Sequence, residues 1–490
     1  MKNMQLTSKL HNICELKAIL TDESSTNSIL IDLYKKFDIK RIRTFFDNVK
    51  SKGIEVYSIV FSLLLTRILK VTVFSYIHNN QQSENQIGKD TIYRLKNNST
   101  IDWRKLLYYF VSRYLSIVKK HTKITTQSVK CLIIDDTLFN KTGKTIEFIS
   151  KVFDHVSHKY VLGFKMLCLG YWDGFSMNAI DFSLHRERGN NNRYPYGLKK
   201  KDLARQYSKE RDKKSHGFKR VKELDKKKTD TAIEMIKRAV KHGIQATYVL
   251  MDSWFVSEEM ILEIRKIKSG FMHLLGMCRM DRRKYEYNNK KLTAKELLRK
   301  YKNSKLNKRC RSLKSRYICL VVEYKGIKLQ LFFSKYKNQK AWNLLITTDL
   351  TLTYIKAIEI YQIRWTIEVF FKESKQYLQL GKSQSNDFDA QIADTTISII
   401  VYMLLNLRKR FSAYDTIGEI FRYENKQYNE LTLWEKIWGI FQEIILILIE
   451  LFEIDIEKIL EKIIRENSEQ EKLIFILEKL NEKTNVQNVA

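Results

Sequence analysis

YQIRWTIEVFFKESK, residues 361–375, sets four polar side chains into a run that is otherwise apolar enough to be buried. At about 100° of helical turn per residue, Tyr361, Arg364, Glu368 and Lys375 fall within roughly 60° of one another. Around them stand Ile363, Trp365, Ile367, Val369, Phe370 and Phe371. A helix this apolar is normally buried, so a stripe carrying a carboxylate flanked by cations must face something polar that the fold encloses. The stretch is predicted to belong to one helix that begins near Leu352.

Upstream, two apolar runs end in aspartates. VKCLIIDD (129–136) closes on Asp135 and Asp136, and QATYVLMD (245–252) closes on Asp252. Such endings place carboxylates at the mouth of buried strands. KYVLGFKMLCLGYWDG (159–174) leads through Asp173-Gly174, a hairpin turn signal, into SMNAIDFSLHRE (176–187), so three antiparallel strands are expected in succession. A helix capped by Thr229 or Asp230 and stopped at Gly243 precedes the second aspartate strand. A helix opened by Ser257 precedes the strand FMHLLGMCRM (271–280), and helix then strand, twice over, is an α/β pattern. Residues 280–340 read as an insertion with a basic patch (Lys305, Lys308, Arg309, Arg311, Lys314) and a half-exposed hairpin strand, where Ile327, Leu329 and Leu331 alternate with Lys328 and Gln330. A long helical run covers 389–410, and residues 430–490 read as helical and partly amphipathic.

The first 125 residues carry helical periodicity, with Ile54, Tyr57, Val60, Leu64 and Ile68 spaced for one buried face. Within them NQIGKDTIYRLKNN (85–98) suits the second helix of a helix-turn-helix, with Lys89, Arg94 and Lys96 reading a DNA end. An ordinary basic surface helix fits the same pattern. Between Lys199 and Lys228, 14 basic residues face 5 acidic ones. This block reads either as a solvated loop or as a flexible arm on a phosphate backbone, the second being favoured.

Across 490 residues, 88 Lys plus Arg against 55 Asp plus Glu give a net charge of +33, which calls for a polyanionic partner, nucleic acid first. Codon bias accounts for Lys over Arg but not for Lys over Glu. The six cysteines contain no CxxC pair, and neither they nor the nine histidines make a zinc-ligand spacing. Reduced thiols and a cytoplasmic protein are expected. MKNMQLTSKLHN lacks the apolar segment of a signal peptide, and charges interrupt or flank the greasiest runs, so no membrane span is expected.

Asp135 or Asp136, Asp252 and Glu368 thus stand out by position. Three ionised carboxylates cannot share a site without a counter-charge. Divalent metal removes the conflict: hard oxygen ligands suit Mg²⁺ or Mn²⁺, and a pair of such ions activates the attacking oxygen of a phosphodiester cleavage and stabilises the leaving one.

The spacing Y-x2-R-x3-E-x6-K at Tyr361, Arg364, Glu368 and Lys375 resembles the signature of insertion-sequence transposases with a DDE triad. D-x-T at 135–137 and DSWF from Asp252 resemble that family's first and second acidic motifs, so the resemblance covers roughly residues 129–410. It implies an α/β fold with an RNase H-like catalytic core over 126–425, interrupted by a β-rich insertion at about 280–345. An all-helical DNA-binding domain (1–125) would precede the core and a helical tail (426–490) would follow it. It implies Asp135, Asp252 and Glu368 as catalytic ligands of two Mg²⁺ or Mn²⁺ ions. Asp135 is preferred to Asp136 because the family's acid usually stands two residues before a Thr or Ser. Tyr361, Arg364 and Lys375 would hold phosphates, and Trp365 and Trp342 resemble aromatics that stack on a displaced base, although core tryptophans fit the same positions. The function implied is a DNA transposase that cuts the ends of a mobile element and joins them to target DNA, as a homodimer on double-stranded DNA. A domesticated, non-cutting DNA-binding descendant is the alternative, and a basic membrane-surface protein is a more distant one.

Overall fold

In the computed structural model, residues 39–46, 49, 53–79, 87–121, 128–337, 339–411 and 416–422 are described. They fall in one compact unit. The tail expected at 426–490 lies outside them, as do residues 1–38 of the expected helical region.

The described residues begin with a 3₁₀ helix (Ile39–Phe45) and helices α1 (Val56–Ile68), α2 (Val73–Asn79), α3 (Lys89–Lys96) and α4 (Trp103–His121). Strands β1 (Cys131–Asn140), β2 (Ser150–Asp154), β3 (Lys159–Trp172) and β4 (Met177–His185) follow, then α5 (Lys200–Ala204), α6 (His216–Glu223) and α7 (Lys228–Lys241). Next come β5 (Tyr248–Met251), α8 (Glu258–Lys266), β6 (His273–Cys278), β7 (Lys284–Tyr287), β8 (Lys290–Thr293) and α9 (Ala294–Tyr301). The strands β9 (Lys308–Cys310), β10 (Ser315–Tyr324), β11 (Ile327–Tyr336) and β12 (Asn343–Thr347) lead to α10 (Tyr354–Gln362), α11 (Trp365–Tyr377) and α12 (Phe388–Phe411).

All twelve strands join one mixed sheet, ordered β2-β3-β1-β5-β6-β12-β11-β10-β7-β8, with β4 also on β3 and β9 on β10. The first half behaves as the sequence leads one to expect: β1, β3 and β4 are antiparallel neighbours, while β5 and β6 run parallel to β1. Gly174 makes the β3–β4 turn at φ +103, with the Phe175 and Ser176 amides donating to Asp173 Oδ1 at 2.9 and 2.8 Å. β1 begins with four fully buried residues, and β4 is buried at all nine positions, because helices cover both sheet faces. The expected insertion is continuous with this sheet through β12, which pairs antiparallel with β6. Lying between β10 and β12, β11 is covered more fully than its alternation suggests: Gln330 is buried and donates to Cys319 Sγ at 3.0 Å.

Helix α12 forms the spine of the core. It is long and apolar enough to cross a membrane by length and composition, but the apolar window is wholly buried inside the protein. Its Asp394 accepts from Arg67 of α1 at 2.5 Å and from Lys96 of α3 at 2.8 Å, so the N-terminal helices are tied directly to it.

Residues 199–228 differ from the free arm that their charge suggests. Lys209 pairs with Asp387 and Asp389 at 2.9 and 2.8 Å, and Arg211 with Glu147 and Asp389 at 2.6 and 3.0 Å. Carboxylates buried at the start of α12 pull the strap onto the core, while Lys199, Lys200, Lys201, Lys213 and Lys214 stay exposed. Farther along, Glu223 of α6 takes both Arg104 amino groups at 2.9 Å and Ser183 Oγ at 2.9 Å. Burial works against its charge, but Arg104 and Arg220 outweigh burial and hold the carboxyl down at about 2. A depressed acid stabilises the fold above its unfolded value and loses that contribution as pH falls through the folded one. Glu223→Gln is therefore expected to cost up to about 3 kcal/mol at pH 7 and progressively less below pH 4.5, read by denaturant melts across pH.

Candidate active site

The register of the parallel strands builds the floor of the site. Ile134 of β1 lies opposite Met251, the last residue of β5, and β1 continues to Asn140 against β3 alone. The residue that follows each of these is an aspartate, Asp135 inside β1 and Asp252 just past the end of β5, so the register brings the two chain positions alongside where one strand ends and its neighbour goes on. Asp135 and Asp136 are thus inside a strand, and the mouth expected at the end of β1 is made by the shorter β5. Alternation sends the two adjacent acids to opposite faces. Asp135 accepts from Arg364 Nη1 at 2.9 Å, whereas Asp136 is ion-paired with Lys228 of α7.

The expected single helix from about 352 through 375 is two helices, α10 and α11, joined at Ile363 and Arg364. The amides of Ile363, Arg364, Thr366 and Ile367 all bond three residues back, at 3.0–3.2 Å, a tightened turn. Thr366 Oγ1 donates to the Ile363 carbonyl at 2.7 Å and takes up an acceptor of the regular ladder. Helix α11 buries Ile367, Phe370, Phe371 and Ser374. It settles closely on the sheet because β3 offers Gly170 there: a side-chain carbon at that position would lie 2.9 Å from Met177 Sδ and 3.5 Å from Ile367. The opposite face is open, with Trp365 58% and Val369 50% exposed, so α11 is half-buried rather than enclosed.

From this hinge Arg364 reaches into the site. Its Nη1 holds Asp135, its Nη2 holds Glu368 Oε1 at 2.6 Å, and its guanidinium lies 5.8 Å from the Tyr361 ring centroid and 5.4 Å from that of Trp365. Lys375, about two turns beyond Glu368, donates to Thr137 Oγ1 at 2.6 Å. Burial pushes Asp135 up to about 7 against the pull of Arg364, with Asp136 and Glu368 adding like charge. Burial also raises the Tyr361 hydroxyl to about 12; Arg364 opposes the rise, and Asp252 and Asp135 add to it. Lys375 is drawn below the usual lysine range by burial.

The structure therefore gathers Asp135, Tyr361, Arg364, Glu368 and Lys375 around the Asp135–Asp252 ledge. Among the described residues no three His, Cys, Asp or Glu side chains converge tightly enough to hold a metal ion as they stand. The guanidinium explains why: it bridges Asp135 and Glu368, standing where a shared cation would stand. The donor set, three carboxylates, suits a hard divalent ion.

Other candidates lie elsewhere. Lys89 and Arg94 are exposed on α3, where Arg94 Nε donates to the Asp90 carbonyl at 3.3 Å. Lys96 is buried on Asp394 and is not free for DNA. Trp342 is half-buried before β12. Sequence reasoning passed over Trp254 and Lys228: the indole, two residues after Asp252, is 49% exposed, with Lys228 Nζ 5.1 Å from its ring centroid. A tryptophan in the polar turn DSWF, following a strand-end acid, was the available signal.

Residues 79–273 match the family model described as DDE superfamily endonuclease. Residues 220–404 match the one described as transposase DDE domain. The two matches overlap at 220–273, and the second contains both Asp252 and Glu368. No curated protein matches the chain.

Proposed function

We propose that this chain, whose residues 79–404 match models of the DDE superfamily, is a DNA transposase of the insertion-sequence group with the Y-x2-R-x3-E-x6-K spacing. The observation that carries the proposal is the meeting of Asp135, Arg364 and Glu368, residues from distant parts of the chain, beside the strand end that bears Asp252.

In this proposal Asp135, Asp252 and Glu368 hold two Mg²⁺ or Mn²⁺ ions. Bound there, the ions would supply activation of the attacking oxygen and stabilisation of the leaving oxygen in phosphodiester cleavage and joining. Arg364 gives up its bridge and turns its planar fork to phosphate, a shape that an ammonium cannot copy. Lys375 and Tyr361 hold neighbouring phosphate oxygens from a partly dry surface, where each charge-assisted bond is stronger than in water. Trp365, exposed beside Arg364, stacks on a base, and Lys89 and Arg94 bind duplex outside the site. Two element ends to be joined call for two copies of the chain on the DNA.

A second reading, a DNA-binding descendant that no longer cuts, has one observation in its favour: Arg364 lies between Asp135 and Glu368. Incubating the protein with Mg²⁺ and DNA carrying the sequences that flank its reading frame separates the two. The transposase yields strand breaks ending in 3′-hydroxyls, and the binder retains DNA without product. Binding should weaken steeply with salt, by a slope of about −0.9 in log K per phosphate neutralised. A flat response would remove nucleic acid as the partner.

A further inference from the structure

We infer that Trp254, backed by Lys228, is a stacking site for an unpaired nucleobase next to Asp252, a second aromatic contact besides Trp365. The inference rests on the DNA-processing proposal and adds to it where the strand is gripped.

The turn after β5 is built to present this ring. The Phe255 amide donates to the Asp252 carbonyl at 3.0 Å, and the Ser257 amide to the Phe255 carbonyl at 2.8 Å, closing the chain tightly behind the aspartate. Phe255 is the anchor, only 2% exposed, while Trp254, with ring centroids 6.0 Å apart, is left 49% in solvent. Tryptophan is among the most buried side chains on average, so one held outside by its neighbour's anchoring has a contact to make.

Lys228 strengthens the case. It is the first residue of α7, where the helix dipole disfavours a cation. It is nonetheless packed, with 13% of its side chain exposed, because it sits against Asp136 and over the indole. The ammonium steadies the ring and puts a positive charge beside it for the phosphate of the stacked nucleotide. Inside a duplex both faces of a base are already covered, so the ligand is a base that has left its helix or ends a strand. Every base has a π-face, so the site is tolerant of sequence.

The test is a cycle between side chain and base. Wild type, Trp254→Ala and Trp254→Phe are each titrated with a thymidine oligonucleotide of about 20 residues and with an abasic strand of the same length. Trp254→Ala should bind the thymidine strand about 5- to 150-fold more weakly, the range of one lost base–aromatic stack, and the abasic strand as wild type does. Trp254→Phe should keep most of the affinity. Equal weakening on both strands would make Trp254 structural and overturn the inference, as would no weakening on either. A wild-type protein that holds neither strand would count against the DNA-processing proposal itself.

Discussion

Replacing any one of Asp135, Asp252 or Glu368 by its amide is expected to lower strand cleavage on the order of 10³-fold or more, with DNA retention changed by a few-fold at most. The isosteric swap removes charge but little volume, so packing around β1, β5 and α11 should survive. Asp135 is the sharpest of the three. Its neighbour Asp136, one residue on, faces Lys228 from the other side of the strand, so Asp136→Asn serves as the internal control. If Asp136→Asn lost cleavage while Asp135→Asn kept it, the face assigned to the chemistry would be the wrong one.

The second large effect concerns Arg364, a buried cation that holds Asp135 and Glu368 together. Glu368 is partly solvated and can find water, so the cost of Arg364→Ala falls mainly on Asp135, and a destabilisation of about 3 kcal/mol is expected in chelator. The loss should depend on pH with a definite sign. Asp135 binds its proton more tightly folded than unfolded, so its ionisation weakens the fold as pH rises from about 4 towards about 7. Without Arg364 nothing offsets that charge. The variant should therefore melt much lower than wild type at pH 8 and only slightly lower at pH 5. Added Mg²⁺ should recover more of the melting temperature in the variant than in wild type, because it supplies the missing counter-charge. Lysine should rescue only in part, since a point charge cannot reach both acids as a fork does. Equal melting of variant and wild type at pH 8 would contradict the bridge.

Much of the candidate site's grouping was legible because its parts obey local rules. Acids closing apolar runs marked Asp135 and Asp252, although Asp135 lies inside β1 rather than at its end, and helical spacing grouped Tyr361, Arg364, Glu368 and Lys375. What was not legible depended on partners remote in sequence. The break at Ile363 and Arg364 goes with a hydroxyl capturing a carbonyl, and the seating of α11 with the closeness of Gly170, neither of which shows in a periodicity. The strap at 199–228 looked free because its countercharges, Glu147, Asp387 and Asp389, lie far along the chain. Lys96 looked like a DNA contact for the same reason, its partner Asp394 being on α12. Exposure was the hardest to read: Trp365 and Trp254 are residue types that usually fill cores, and only the assembled fold shows them in solvent.

The central claim is that Asp135, Asp252 and Glu368 form one cation site that Arg364 holds ready. Mn²⁺ binding followed by electron paramagnetic resonance tests it most directly. Saturable binding to the wild type, weakened at least about 10-fold by Glu368→Gln and by Asp135→Asn but unchanged by Asp136→Asn, is the predicted result. Mn²⁺ affinity indifferent to all three substitutions would contradict it.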